Sequence, residues 1–514
     1  MSVFPGIEVF AARANAWLDR HYLLAFAVAG LLIAAATVSM AASKPLWHDE
    51  IYTVLLARLG AADLWAAHRS AVDLSAPLNT LLTHVAISVL GTGPVVVRLF
   101  PLLGYWLAVV VIFAFVRRRS NTVAALSAVL LSSFTGGYRY AYEARGYGLM
   151  MGFAALALYA WAEAAAGRRR RLHIPLLAAA LAAGYWAHYY SVFAAVPVIA
   201  GELARTARKR KLDTGIWVAV ALSFAALIPL VPLIRAGASS APNFWGRATL
   251  WNLFPTYTLL LNALVEPAFL AGTLVLVIWA AVHRGWFTRP PRLAFAFRLP
   301  RGTRELPGHE LTALLVSVAL PLIQILTAFA TTGVFVSRYA LPAIPGLCIA
   351  ITLAAVRLAP TGVGQVAIAG VLAASFAVPA MFPPSFPNPA RQRRALMGLL
   401  ARERPVAVTG GLMYLQLWYY TPPEMRRHLY YIAHPGAARH LTGSDSIDRG
   451  LIGLAKWSEL NVAVPRAFVT AHPDFYVYNA GSGWLVQWLR DDYAHVEQIG
   501  VELDAAILSV QIPR

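Results

Sequence analysis

Long apolar runs separated by short polar stretches fill the first three-quarters of the chain, and the lengths of those runs set the first expectation. A helix needs about 20 apolar residues to cross a bilayer. A membrane barrel would instead show shorter segments of alternating polarity, and the sequence has no such alternation. The pattern predicts 11 transmembrane helices, at roughly 22–42, 95–116, 122–138, 147–166, 173–187, 190–204, 214–234, 258–282, 311–330, 340–358 and 362–382. The apolar piece from Pro77 to Leu90 does not fit as a span, because counting it would move every later arginine cluster to the opposite face. It is expected as a re-entrant or interfacial helix inside a long loop of short juxtamembrane helices, residues 43–94.

After residue 382 the pattern changes. Pro383 to Pro389 is a stiff proline-rich linker, so the chain divides into a membrane domain, 1–382, and a soluble α/β domain, 383–514. Strands are expected near Pro405–Thr409, Phe475–Tyr478 and Ala506–Ile512, with helical patterns between them. Gly410-Gly411 follows the first of these as a plain strand-to-helix turn, since neither the dinucleotide-binding nor the P-loop spacing is present.

Composition agrees with a polytopic membrane protein: 514 residues, 59% hydrophobic and 13% charged. The net charge of +19 gains meaning from its placement. Of the 43 Lys and Arg, 21 fall at Arg13 and Arg20, Arg117–Arg119, Arg168–Arg171, Arg205–Lys211, Arg284–Arg304 and Arg357. All of these lie on one side once the spans alternate, so the positive-inside rule makes that side cytoplasmic. The N-terminus is then cytoplasmic, and the 43–94 loop and the C-terminal domain are extracytoplasmic. The charge excess is a topology signal, and nucleic acid is not expected as a partner. The first span is read as retained rather than cleaved. The single cysteine, Cys348 in an apolar run, excludes an internal disulfide framework.

That topology collects polar residues on the outer face. Trp47-His48-Asp49-Glu50 places two adjacent carboxylates just after the first span, where a charge is costly unless solvated or paired. Glu143 and Arg145 sit in an aromatic, charged run from Tyr138 to Tyr147, and His188 with Tyr189, and Arg338 with Tyr339, join them from later loops. A carboxylate here can take a proton from a hydroxyl, and an arginine can hold a phosphate bidentately. Simpler roles stand beside these. Glu143 and Arg145 could form a local salt bridge, the tyrosines an interfacial belt and His188 an interfacial hydrogen bond. Asp63 and Asp73, each just before a leucine, read as helix caps. A divalent cation is possible, with ligands from more than one loop, and the metal question stays open.

Four motifs in this order resemble those of the GT-C superfamily of membrane glycosyltransferases, in the branch holding the protein O-mannosyltransferases and the lipid A aminoarabinose transferase. They are Trp47-His48-Asp49-Glu50, Ser75-Ala76-Pro77-Leu78-Asn79, Tyr142-Glu143-Ala144-Arg145-Gly146-Tyr147 and Ser337-Arg338-Tyr339-Ala340-Leu341-Pro342. Asn79 stands where that family usually has tyrosine, and Gly146 where it has proline. The resemblance implies Asp49 as catalytic base, Glu50 as its acidic neighbour and Glu143 as a second-loop acid. Arg145 and Arg338 become phosphate contacts, with His48, Tyr147, His188, Tyr189 and Tyr339 lining the substrate site. Glu50 keeps three readings: orienting Asp49, binding a metal or capping a surface helix. The implied activity is inverting transfer of a monosaccharide from a polyprenyl-phosphate donor to an extracytoplasmic lipid, glycan or protein in the bacterial inner (plasma) membrane. A transporter or flippase of an anionic polyprenyl-linked lipid is the alternative, and a non-catalytic assembly factor a third.

Overall fold

The computed structural model describes residues 5–239, 241–261, 306–358, 362–381, 385–480, 484–492 and 495–513. Its membrane part runs α1 (Pro5–Arg20), α2 (Tyr22–Ser43), α3 (His48–Ala57), α4 (Ala61–Arg69), α5 (Leu78–Leu90), α6 (Leu99–Arg119) and α7 (Thr122–Ser133). It continues with α8 (Gly136–Ala141), α9 (Tyr147–Ala165), α10 (Arg170–Ala187), α11 (Ala195–Lys209), α12 (Thr214–Ala225), α13 (Val231–Ala238) and α14 (Leu253–Leu261). The helices Gly308–Ala330, Ile344–Leu358 and Gly362–Met381 complete it. Six stretches among the described residues are long and apolar enough to cross a membrane. The other expected spans are shorter or less apolar helices, and the eighth, 258–282, lies mostly outside the described residues, as do the Arg284–Arg304 cluster, residue 382 and residues 383–384 of the linker.

Small residues allow the central helices to touch. A Cβ on Gly104 of α6 would stand 2.5 Å from the Gly148 backbone, and one on Gly152 would stand 2.3 Å from the Gly104 carbonyl. Backbone contact at that range, with glycines four apart on α9, is how helices pack tightly where lipid supplies no hydrophobic drive. α5 is 13 residues long, about 20 Å at 1.5 Å per residue and too short for a core of about 30 Å. The Pro77–Leu90 piece forms a helix, as expected, and it leaves Val85, Val89 and Leu90 uncovered.

The C-terminal part is an α/β domain, as expected, built on a six-stranded sheet of order β3-β2-β1-β4-β6-β5. β1 (Val406–Val408), β2 (Leu429–Ile432), β3 (Val462–Ala463) and β4 (Asp474–Asn479) are parallel, and β5 (His495–Glu502) and β6 (Ala505–Gln511) add an antiparallel edge. β1 reads as an unbroken apolar run because both its faces are covered. Val406 and Val408 join one core, and Ala407 joins another with Phe475 and Val477. Gly410-Gly411 is the strand-to-helix turn into Gly411–Tyr420, where a Cβ on Gly411 would press within 2.4 Å of Ile447.

The first of those cores is shared with the membrane part. Ile51, Val54 and Leu55 of α3 and Leu64 of α4 cluster with Tyr414, Leu415 and Trp418. Hydrogen bonds fasten the join: the Leu46 N–H donates to the Tyr420 hydroxyl at 2.6 Å, and Gln416 donates to the Leu46 carbonyl at 3.1 Å. Ser444 adds a third, donating to the Asn243 carbonyl at 2.7 Å. The domain thus clamps α3, the helix that begins with His48, Asp49 and Glu50.

Candidate active site

Glu50 is the third residue of α3, and its carboxylate reaches back to the Trp47 N–H at 3.2 Å, as an acid at that helix position does. Neighbouring helix residues point about 100° apart, so Asp49 and Glu50 cannot face the same way. Glu50 turns inward and is 0% exposed. Its two oxygens accept from Arg98 Nε at 2.7 Å and Nη2 at 2.8 Å, and the Ala144 N–H donates to it at 2.7 Å. Arg98, also fully buried, donates in addition to the carbonyls of Ala41 at 2.6 Å and Lys44 at 2.8 Å. This ion pair ties the end of α2, the start of α3, the start of α6 and the Glu143 loop together.

Asp49 turns the other way and keeps 22% of its side chain exposed. His48 Nδ1 stands 3.2 Å from one oxygen, and Arg338 Nη2 stands 3.6 Å from the other. Arg145 donates to the Asp49 carbonyl at 3.3 Å and to the Thr53 hydroxyl at 3.2 Å. Burial pushes the Asp49 carboxyl up, but the His48 hydrogen bond and the charges of Arg145, His48 and Arg338 outweigh it and bring it down to about 2. Asp49 is therefore an anion at neutral pH, facing two arginines.

The two arginines differ. Arg145 is held in a fork by Asp73, at 2.9 and 3.2 Å, and Asp73 also accepts from the Ser75 N–H at 3.0 Å and hydroxyl at 2.7 Å. Asp73 is thus the ion-pair partner of Arg145, not the helix cap expected of it; α5 begins after Pro77. Asp63 likewise caps nothing: α4 starts from Gly60, and Asp63 sits within the first helical turn. Burial pushes the Asp73 carboxyl up, but the charge and hydrogen bonds of Arg145, with His68 and Ser75, together leave it below its ordinary value. Arg338 approaches Asp49 at 3.6 Å, has a hydrogen bond with the Tyr140 side chain, lies 5.7 Å from the centre of the Trp245 ring, and keeps a buried Nε without a hydrogen-bond partner.

Glu143 does not pair with Arg145. It is 3% exposed and meets Lys44 at 3.1 Å, while its second oxygen has no partner. Burial raises its carboxyl, with Lys44 pulling it down and Glu50 pushing it up. Gly146 follows closely: a Cβ there would stand 2.2 Å from the Ala187 carbonyl, which draws this loop against the end of α10. Asn79, at the family's tyrosine position, donates to the Ala144 carbonyl at 3.1 Å and so braces the same loop.

His188 sits among rings, 5.4 Å from Tyr147, 5.3 Å from Tyr339 and 6.2 Å from Tyr190, and its Nδ1 accepts the Tyr190 N–H at 3.2 Å. Burial, reinforced by Arg145 and Arg338, lowers the His188 imidazole to about 3, so it is neutral. Tyr339 stacks on Tyr190 at 4.5 Å, and Tyr189 stands half-buried beside them. Asp49, Arg145, Arg338, His188, Tyr147 and Tyr339 thus come together from four loops. Sequence reading missed Arg98, Lys44 and Thr53, and took Asp73 for a helix cap. A lone arginine at the head of an apolar run and a lone lysine at the end of one were the available signals for the first two.

The carboxylates do not converge on a metal. Among the described residues no group of three or more His, Cys, Asp or Glu side chains is placed to hold one. His48 Nδ1 is spent on Asp49, and Glu50 on Arg98.

The family described as dolichyl-phosphate-mannose-protein mannosyltransferase matches residues 75–234, a stretch that includes Asn79, Glu143, Arg145 and His188. The crystal structure of ArnT from Cupriavidus metallidurans bound to undecaprenyl phosphate is similar at a TM-score of 0.56 and 14% identity, over 95% of this chain and 98% of that one. The apo structure of ArnT gives the same values. At that identity the likeness establishes a shared fold. An oligosaccharyltransferase from Archaeoglobus fulgidus, at a TM-score of 0.46 and 12% identity over 87% of this chain and 67% of that one, is too distant to carry an argument. No curated protein matches the sequence. The family match and the shared fold bear out the resemblance to GT-C glycosyltransferases read from the four motifs, and the chain is a multi-pass membrane protein with that fold.

Proposed function

We propose that the chain is an inverting glycosyltransferase that moves a monosaccharide from a polyprenyl-phosphate donor to an extracytoplasmic acceptor, an envelope lipid, glycan or protein. One observation carries the reading: an ionised carboxylate, Asp49, stands 3.6 Å from Arg338, whose Nε is buried without a hydrogen-bond partner. The fold around that pair is one in which ArnT has been solved with undecaprenyl phosphate bound.

Asp49 is the base that takes the proton from the acceptor hydroxyl, and Arg338 receives the phosphate leaving group. Arg145, already forked to Asp73, fixes the Asp49 backbone and adds charge to the phosphate region. The arginines also explain how so acidic a carboxyl serves as a base. A donor phosphate seated on Arg338 draws that cation from Asp49, which raises its affinity for a proton as the acceptor arrives. Glu50 is a positioning residue that sets α3 through Arg98. Glu143, with one oxygen unpartnered beside Lys44, contacts the sugar or the acceptor, and His48, His188, Tyr147, Tyr189 and Tyr339 form the wall of the site. The site lies at the end of the bundle that carries the C-terminal domain, opposite the arginine clusters, which supports an extracytoplasmic position in a bacterial inner membrane.

The test is mass spectrometry of envelope glycans, lipids and glycoproteins from cells with and without the protein. A mass increment of one monosaccharide that depends on the protein supports transfer and identifies the acceptor. Unchanged acceptors, with a polyprenyl-phosphate sugar redistributed between leaflets, would instead support the flippase reading.

A further inference from the structure

The other charged region lies at the far end of the bundle, and five of its arginines are matched by acids. Arg118 and Arg119 pair with Glu310, Arg118 and Arg168 share Glu163, Arg205 binds Glu202 and Asp213, and Arg170 binds Asp213. Arg117 is different. Its guanidinium lies 3.4 Å from the centre of the Tyr22 ring, and no carboxylate pairs with it among the described residues.

Beside Arg117 a cavity of about 600 Å³ opens between α2, α6 and α9. Its apolar wall is Leu23, Phe26, Val110 and Phe113, and its polar wall is Arg117, Arg118, Ser120 and Arg168. Three polar atoms of that wall, Arg117 Nε, Arg118 Nε and Ser120 Oγ, are buried without a hydrogen-bond partner. Buried donors are nearly always satisfied, so the polar side of the cavity carries donor capacity that no acceptor among the described residues uses. The apolar wall runs onto the bundle's outer surface, where Leu23 is 66% and Val110 is 48% exposed.

We propose that this cavity is a binding site for an anionic phospholipid, separate from the Asp49 site and independent of the function proposed there. The phosphate sits against Arg117 and Arg168. The acyl chain runs along Phe26, Leu23 and Val110 into the surrounding bilayer. Charge complementarity selects an anionic headgroup, because Glu163 is shared by Arg118 and Arg168 and leaves Arg117 unneutralised. The apolar wall selects a lipid over a free anion, since inorganic phosphate would use only half of the cavity. Basic pockets between helices on the basic side of a membrane protein bind acidic lipid headgroups in this manner.

Native mass spectrometry of the purified full-length protein, titrated with phosphatidylglycerol or phosphatidylcholine, tests the site. Phosphatidylglycerol is expected to bind more tightly, and Arg117→Gln to weaken it about tenfold, the loss of one charge-assisted contact, with phosphatidylcholine unaffected. Arg117 has no acid partner to strand, so the variant is expected to fold. Val110→Trp, which fills the apolar wall and leaves every arginine in place, is expected to lower phosphatidylglycerol binding as well. Wild-type phosphatidylglycerol binding by both variants would overturn the proposal. So would equal binding of the two lipids, or displacement of phosphatidylglycerol by equimolar inorganic phosphate.

Discussion

Replacing Glu50 by glutamine keeps the shape of the side chain and removes its charge, which isolates the ion pair beneath the site. Four donors converge on the Glu50 oxygens: two from Arg98 at 2.7 and 2.8 Å, the Ala144 N–H at 2.7 Å and the Trp47 N–H at 3.2 Å. A glutamine amide offers one acceptor oxygen, and its NH2 would face donors. Arg98 cannot shed its proton and, at 0% exposure, cannot reach water. An uncompensated buried charge of this kind costs about 3–5 kcal/mol, a large share of a typical total stability of about 5–15 kcal/mol. The assay is denaturant unfolding in detergent micelles of wild type, Glu50→Gln, Arg98→Met and the double variant. The single variants should each be severely destabilised and the double variant much less so than their sum, because replacing both charges leaves nothing stranded. A Glu50→Gln protein within about 1 kcal/mol of wild type, or simple additivity in the double variant, would refute the structural role assigned to Glu50.

Arg338→Ala is expected to raise the donor KM or lower kcat with little change in thermal stability, since its nearest acid is 3.6 Å away; unchanged kinetics would make Arg338 structural. Arg145→Ala should also lower stability, by about 3–5 kcal/mol, because it strands the buried Asp73 carboxylate, and unfolding measurements check this. His188 is held near 3 in the fold against an ordinary value of 6.5. The unfolded chain therefore binds its proton first, and stability falls as pH drops from 6.5 toward 3, by at most about 1.4 kcal/mol per pH unit. His188→Gln should flatten unfolding profiles in that window. Tyr420→Phe removes the hydrogen bond to the Leu46 N–H at 2.6 Å and should reduce stability by about 1 kcal/mol, loosening the clamp on α3.

The legible parts of the fold were those set by hydrophobic period and length. The Pro77 to Leu90 piece reads as non-spanning because counting it would move every later arginine cluster to the opposite face, and β1 is visible because both its faces are covered. β5 escaped notice because it is an edge strand with one mostly exposed face, and alternation there is weak. At the site, charge position revealed Asp49, Arg145, Arg338 and His188, since polar residues at the ends of apolar runs are few. Pairing was not legible: Asp73 and Arg145, like Lys44 and Glu143, are far apart in sequence and joined only by the bundle. The divergence of Asp49 and Glu50 was implicit in the helix period, but which of the two turned inward depended on Arg98.

Turnover by Asp49→Asn tests the central claim most directly. The purified variant, reconstituted in liposomes with a membrane extract containing polyprenyl-phosphate sugars, is followed by mass spectrometry for release of free polyprenyl phosphate and for sugar on the acceptor. The expected result is loss of transfer by at least about a hundredfold, the scale of a lost general base, with wild-type folding and retained donor-lipid binding. Normal transfer by Asp49→Asn would contradict the account.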